Sequence, residues 1–176
     1  SYLPAALLAA TVALSSQGGP TASEAWVAEP APGATTTDAY AVLDPKRDDC
    51  TYPFDELSGC GIGFKLVQAV LAEMGKSPDD AMPYLDLVAM STAADIVPLF
   101  GENRVLMSAG LERLRRQPRV GLAQLADMCR TDLATATTEN IVFTLGPRIN
   151  AAGRLGDADR AVQLLMTEDS QEAFQL

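Results

Sequence analysis

Histidine is absent from all 176 residues. Its absence removes Ser-His-Asp and Cys-His triads, His-ligated zinc and imidazole general-base chemistry from anything this chain does alone. Aromatic residues make up only 6% of the chain, and its three cysteines (Cys50, Cys60, Cys129) include no CxxC pair. An odd number of cysteines argues against a disulfide frame and predicts reduced, cytosolic thiols. No Lys or Arg precedes the longest apolar run, Leu3 to Leu14, which is too short to span a bilayer. It is read as a buried helix, not a secretory leader. With 13 glycines, 11 prolines and no repeat, collagen, linker and solenoid readings fall away. What is present is 48% hydrophobic residues, enough for the core of one ordinary domain. The chemistry left to it is that of carboxylates, arginines, hydroxyls and backbone. The chain begins at Ser1 and stops at Leu176 inside a helical pattern, so it reads as a fragment.

A formal charge of -10 argues against nonspecific affinity for nucleic acid, which depends on Lys and Arg displacing counterions. The distribution qualifies this. Residues 1–100 carry 4 basic and 13 acidic side chains, whereas residues 101–176 carry 9 and 10, every basic one an arginine. Arginine matches phosphate oxygens with two parallel N–H groups, so a local phosphate site is compatible with an acidic chain. Arg113, Arg115, Arg116 and Arg119 are read instead as a solvated helix end complementing the helix dipole.

Along the chain, a first helix is predicted over residues 2–13 and a buried strand over Ala39–Leu43, ended by Asp44-Pro45. A polar loop runs from Lys46 to Ser58. Gly61-Ile62-Gly63 leads into a helix with Phe64, Val67, Val70, Leu71 and Met74 at three- and four-residue steps, closed by Gly75. Ser77-Pro78 caps the next stretch, and a helix from about Met82 toward Ala94 is apolar on more than one face, which predicts burial. A helix over Glu102–Arg116 is expected to bury Val105, Leu106, Ala109, Leu111 and Leu114. Shorter helices follow at Gly121–Cys129, from Thr138, and over Asp157–Met166. Gly146–Gly156, with three glycines, a proline and two arginines, is the most irregular stretch. Many helices and two or three strands predict an α/β domain with few parallel strands.

Three constellations are able to carry chemistry. Asp95, at the end of an apolar helix, either bonds locally as a cap or serves as a ligand for a hard cation; the residue alone favours capping. Asp86, nine residues earlier, points to another face and is not read as a co-ligand. In Gly146-Pro147-Arg148-Ile149-Asn150-Ala151-Ala152-Gly153-Arg154-Leu155-Gly156-Asp157, small residues let backbone N–H groups approach an anion while Arg148, Asn150 and Arg154 clamp phosphate oxygens. A turn held by arginine-to-carbonyl bonds is an equal alternative. Lys46 and Arg47 either face a phosphate at a strand end or solubilise a loop, and Asp48 and Asp49 beside them favour the latter.

These stretches occur together with Asp49-Cys50-Thr51-Tyr52-Pro53-Phe54-Asp55-Glu56-Leu57-Ser58-Gly59, Leu85-Asp86-Leu87-Val88-Ala89, Thr92-Ala93-Ala94-Asp95-Ile96-Val97-Pro98-Leu99 and Gly101-Glu102-Asn103-Arg104. In that order they resemble the RecJ-type exonucleases of the DHH phosphoesterase superfamily, over about residues 32–172. The resemblance implies a partial DHH domain and 5′ to 3′ hydrolysis of single-stranded DNA in repair and recombination. It implies Mn2+ or Mg2+ as activator of water, and Asp95 as metal ligand and catalytic residue. Arg148, Asn150 and Arg154 become candidates for contact with substrate phosphate. It divides the chain into a poorly matching segment 1–31, the C-terminal part of a DHH domain 32–166, and the start of a connecting helix 167–176. The family's Asp-His-His signature belongs at Ala28-Glu29-Pro30 and is missing, and residues 1–23 hold no carboxylate. The chain alone is therefore expected to be inactive. Truncation, a disturbed reading frame before about residue 32, and a degenerate homologue are the competing explanations. An inactive scaffold subunit and a DHH phosphatase acting on short oligonucleotides remain as alternative functions.

Overall fold

The computed structural model describes residues 43–154 and 158–176. The helix expected over residues 2–13 lies outside them, as does the strand over 39–43 except for Leu43, which is exposed and unpaired with any strand. Among the described residues every regular element is helical. The parallel strands of the expected α/β architecture are not seen among the described residues.

After an extended segment, Ser58 caps α1 (Gly59–Glu73) by accepting from the Gly61 N–H. The predicted stripe is largely in place, with Phe64, Val67 and Leu71 buried and Val70 and Met74 at the exposed margin. Gly75 follows the helix end with φ 68°. Ser77 then caps a 3₁₀ segment, Pro78–Tyr84, through the Asp79 N–H. The tighter turn accommodates Pro83, so the α-helix α2 begins at Leu85 rather than Met82 and ends at Ala94. As its sequence predicted, α2 is buried on all sides: each residue from Leu85 to Ala93 is in the interior.

Helix α3 (Gly101–Arg116) crosses α2 where Gly110 meets it; a Cβ there would lie 2.3 Å from the Leu85 carbonyl oxygen. That close approach sets which face of α3 turns inward. Asn103, Leu106, Met107, Gly110 and Leu114 form the buried stripe, while Val105 is 66% exposed, contrary to expectation. An apolar count misplaces the stripe because two of its positions are asparagine and glycine. Helix α4 (Val120–Met128) follows.

The largest correction concerns residues 138–154. The helical run starts at Thr138, passes through a π-helical turn at Ile141–Leu145, and continues without a break as α5 (Gly146–Arg154). Gly146 donates its N–H to the Ile141 carbonyl, so the stretch expected to be an irregular anion-cradling loop is helix. The wide turn places Pro147, which has no N–H to donate, just past the point where the hydrogen-bond register changes. Helices α6 (Ala158–Met166) and α7 (Ser170–Gln175) close the described chain.

Candidate active site

Asp95 is the residue that ends α2. Its Oδ2 accepts a hydrogen bond from the Ser91 hydroxyl at 3.0 Å, one turn earlier. The residue is exposed by surface area, yet enough protein surrounds its carboxyl to raise its pKa; the Ser91 hydrogen bond opposes that shift in part. The carboxylate is thus presented at the surface from the end of a helix buried from Leu85 to Ala93. Ser58 and Thr92, both buried, share a hydroxyl hydrogen bond of 3.2 Å that fixes this last turn against the start of α1.

Against the same end of α2 lies the start of α5. A Cβ on Gly146 would meet the Ala94 Cβ at 3.4 Å, so the glycine-rich block begins beside the residue preceding Asp95. Arg148 is exposed and donates from Nη1 to the Thr144 carbonyl at 2.5 Å. Asn150 is half-buried on the same helix, and Arg154 ends it, its side chain lying outside the described residues. The fold therefore brings the Asp95 end of α2 and the helix carrying Arg148, Asn150 and Arg154 together, though on a helix rather than in an N–H cradle.

The other basic candidates go elsewhere. Arg47 forms a two-point fork on Asp49 at 2.8 and 2.7 Å, and Lys46 lies 3.7 Å from Glu56. This exposed loop neutralises its own charge. Asp86 is fully buried and holds Arg119 at 2.9 Å through both oxygens, so it is no metal co-ligand. That pairing corrects the reading of Arg119 as solvated: it also donates to the Leu165 carbonyl at 2.9 Å. Arg113 and Arg115 bond the Pro83 and Ala136 carbonyls, and only Arg116, paired with Glu112, keeps to the expected exposed role.

Sequence reasoning missed two features at the start of α3. Tyr52 donates to Glu102 at 2.8 Å while Lys65 pairs with the other oxygen of that carboxylate, joining the extended segment to α1 and α3. Asn103, fully buried, donates to the Glu56 and Pro98 carbonyls. Polar residues in a helical first turn look solvated in sequence; nothing local distinguishes these.

No protein family model matches the chain. It is 49% identical to the single-stranded-DNA-specific exonuclease RecJ of Bacillus subtilis over 145 residues, covering 82% of this chain and 18% of that protein. The crystal structure of RecJ from Thermus thermophilus in complex with Mg2+ matches with a TM-score of 0.62 and 37% identity, over 71% of this chain and 19% of that one. By sequence and by fold the chain is RecJ-like. A structure of exonuclease RecJ bound to manganese also matches, with a TM-score of 0.62 and 40% identity over 70% of this chain and 31% of that one. The RecJ-like chain thus spans about a fifth of the length of the B. subtilis protein.

Cations in those RecJ structures raise the question whether the residues here fit one. Among the described residues no group of three or more Asp, Glu or Cys side chains is placed to hold a metal ion. Asp86 is committed to Arg119, and Asp95 stands as a single carboxylate. By themselves the described residues of the RecJ-like chain do not fit a metal pair.

Proposed function

We propose that this chain is part of a RecJ-type exonuclease that hydrolyses the phosphodiester bonds of single-stranded DNA in repair and recombination, working 5′ to 3′. The observation that carries the reading is the 49% identity over 82% of the chain. In this reading Asp95 supplies one anionic ligand to a Mn2+ or Mg2+ site whose other ligands are not among the described residues. Arg148, Asn150 and Arg154 on α5 are the candidates for contact with substrate phosphate, since guanidinium and amide donors suit an anionic backbone and carry no base specificity. Residues 32–166 belong to the C-terminal part of a DHH-type α/β domain, and 167–176 begin a connecting helix. In this reading the chain, which has no histidine and whose described residues bring no three metal-ligating side chains together, is inactive by itself.

The test places the matching segment in B. subtilis RecJ and follows release of nucleotides from single-stranded DNA in Mn2+. Activity is expected, falling by at least about 100-fold with Asp95→Ala, the scale at which loss of an electrostatic participant in a reaction is felt. A folded graft that cuts nothing would favour the second reading, a catalytically silent scaffold subunit, for which the absence of histidine speaks. An Asp95→Ala graft as fast as its parent would remove Asp95 from the chemistry.

A further inference from the structure

The loop between α2 and α3 holds three apolar side chains in solvent immediately after Asp95. Ile96 is 81% exposed, Leu99 46% and Phe100 57%. A loose loop would fold such groups inward to remove them from water, but this one is braced from behind. The buried Asn103 amide donates to the Pro98 carbonyl at 3.1 Å and to the Glu56 carbonyl. The Phe54 ring meets Phe100 edge-on, centroids 5.6 Å apart at 83°. Gly101 has φ 53°, where any side chain is strained, and a Cβ there would lie 2.8 Å from the Phe54 ring, so a larger residue would force the ring to shift.

The bracing comes with unfavourable features. Ile96 is held at φ 55°, a left-handed conformation that β-branched residues rarely adopt. The Asn103 Oδ1 is buried with no hydrogen-bond partner. Exposed apolar groups, backbone strain and an unsatisfied acceptor thus fall within eight residues of sequence beside Asp95. Strain concentrated in this way is characteristic of ligand sites, where the surrounding structure over-determines a geometry that the ligand uses.

We propose that Ile96, Leu99 and Phe100 form a fixed apolar lip against which an unstacked base of single-stranded DNA rests while its phosphate lies at Asp95, with Asn103 positioning the lip. The proposal rests on the exonuclease reading and adds to it the surface that takes the base. Aromatic and aliphatic surfaces bind unstacked bases irrespective of sequence because every base has an apolar face. None of the three exposed side chains carries a hydrogen-bonding group, so the lip discriminates an unstacked base from a stacked one and not one base from another. Duplex DNA, whose bases face each other, has none to offer.

The experiment compares an oligothymidylate with an oligonucleotide of the same length whose terminal sugars lack bases, using B. subtilis RecJ carrying this segment. Loss of the bases is expected to raise KM about tenfold, the scale of one base stacked on an aromatic ring, and to leave kcat within about twofold. Phe100→Ala is expected to raise KM for the intact oligonucleotide by a similar factor and to leave KM for the base-free one unchanged. Phe100→Trp restores the difference. Ile96→Gly, which relieves the left-handed strain, is expected to raise the thermal midpoint while raising KM for the intact oligonucleotide, a combination that a merely structural role would not produce. It also carries the test if Phe100→Ala loses its fold. Equal KM changes for both oligonucleotides, or none for either, would overturn the lip, the first outcome pointing to a protein surface as its occupant. An unaltered segment that neither binds nor cuts DNA would overturn the exonuclease reading itself.

Discussion

Arg119 shows how much one side chain holds in this molecule. Its guanidinium donates to both oxygens of the fully buried Asp86, to the Leu165 carbonyl and to the Pro83 carbonyl, joining α2, the start of α4 and the end of α6. Removing one partner of such a pair strands a charge in the interior, which costs about 3–5 kcal/mol, whereas replacing both with apolar residues of similar volume is often neutral. Arg119→Ala is therefore expected to lower stability by that amount in urea denaturation, and Asp86→Leu with Arg119→Met to restore most of it. Equal losses in the single and double variants would contradict this account. Gly110 sets a second limit at the same scale: a methyl group added at its Cα would stand 2.3 Å from the Leu85 carbonyl oxygen, so Gly110→Ala forces α2 and α3 apart. Overpacking of this kind costs about 1–3 kcal/mol, again readable from the denaturation midpoint.

At the scale of elements, the Tyr52–Glu102–Lys65 group ties the extended segment to α1 and α3. Burial and the hydrogen bond to Glu102 raise the Tyr52 pKa. For Lys65, burial acts downward, but the hydrogen bond and charge of Glu102 outweigh it and the net shift is upward. Both groups hold their protons more tightly folded than unfolded. Their contribution is complete below the ordinary values of about 10 and is lost as pH rises through the raised folded values. The thermal midpoint is expected to decline above about pH 10, and Glu102→Gln to flatten that decline; an unchanged slope would remove this group from the pH response. Over residues 138–154 glycine and proline signal a loop, but the π-helical turn shifts the hydrogen-bond register just before Pro147, and packing of Gly146 on Ala94 favours continuation of the helix.

Across the whole molecule, large apolar side chains remain uncovered in several places: Phe143 is 76% exposed, Phe174 70% and Met128 67%. Surfaces of this kind favour association when nothing covers them. The 176-residue chain by itself is expected to scatter light increasingly at micromolar concentration and to leave single-stranded DNA intact in Mn2+. A monodisperse chain, or one that digests DNA, would contradict these two expectations respectively. Legibility divides along the same lines as the interactions. The sequence by itself determined a chemistry without imidazole, the cap at Ser77, the apolar stripe of α1 and the burial of α2, because these depend on composition or on residues within a few positions of each other. It also carried the blocks through which Asp95 and the Gly146–Arg154 stretch are recognised. Only the tertiary structure decided that Arg119 is half-buried and paired with a carboxylate 33 residues away, that Val105 faces outward and that Arg148 stands on a helix. Those outcomes turn on which surfaces meet, and a contact across 33 residues leaves no periodic trace in either of the segments it joins.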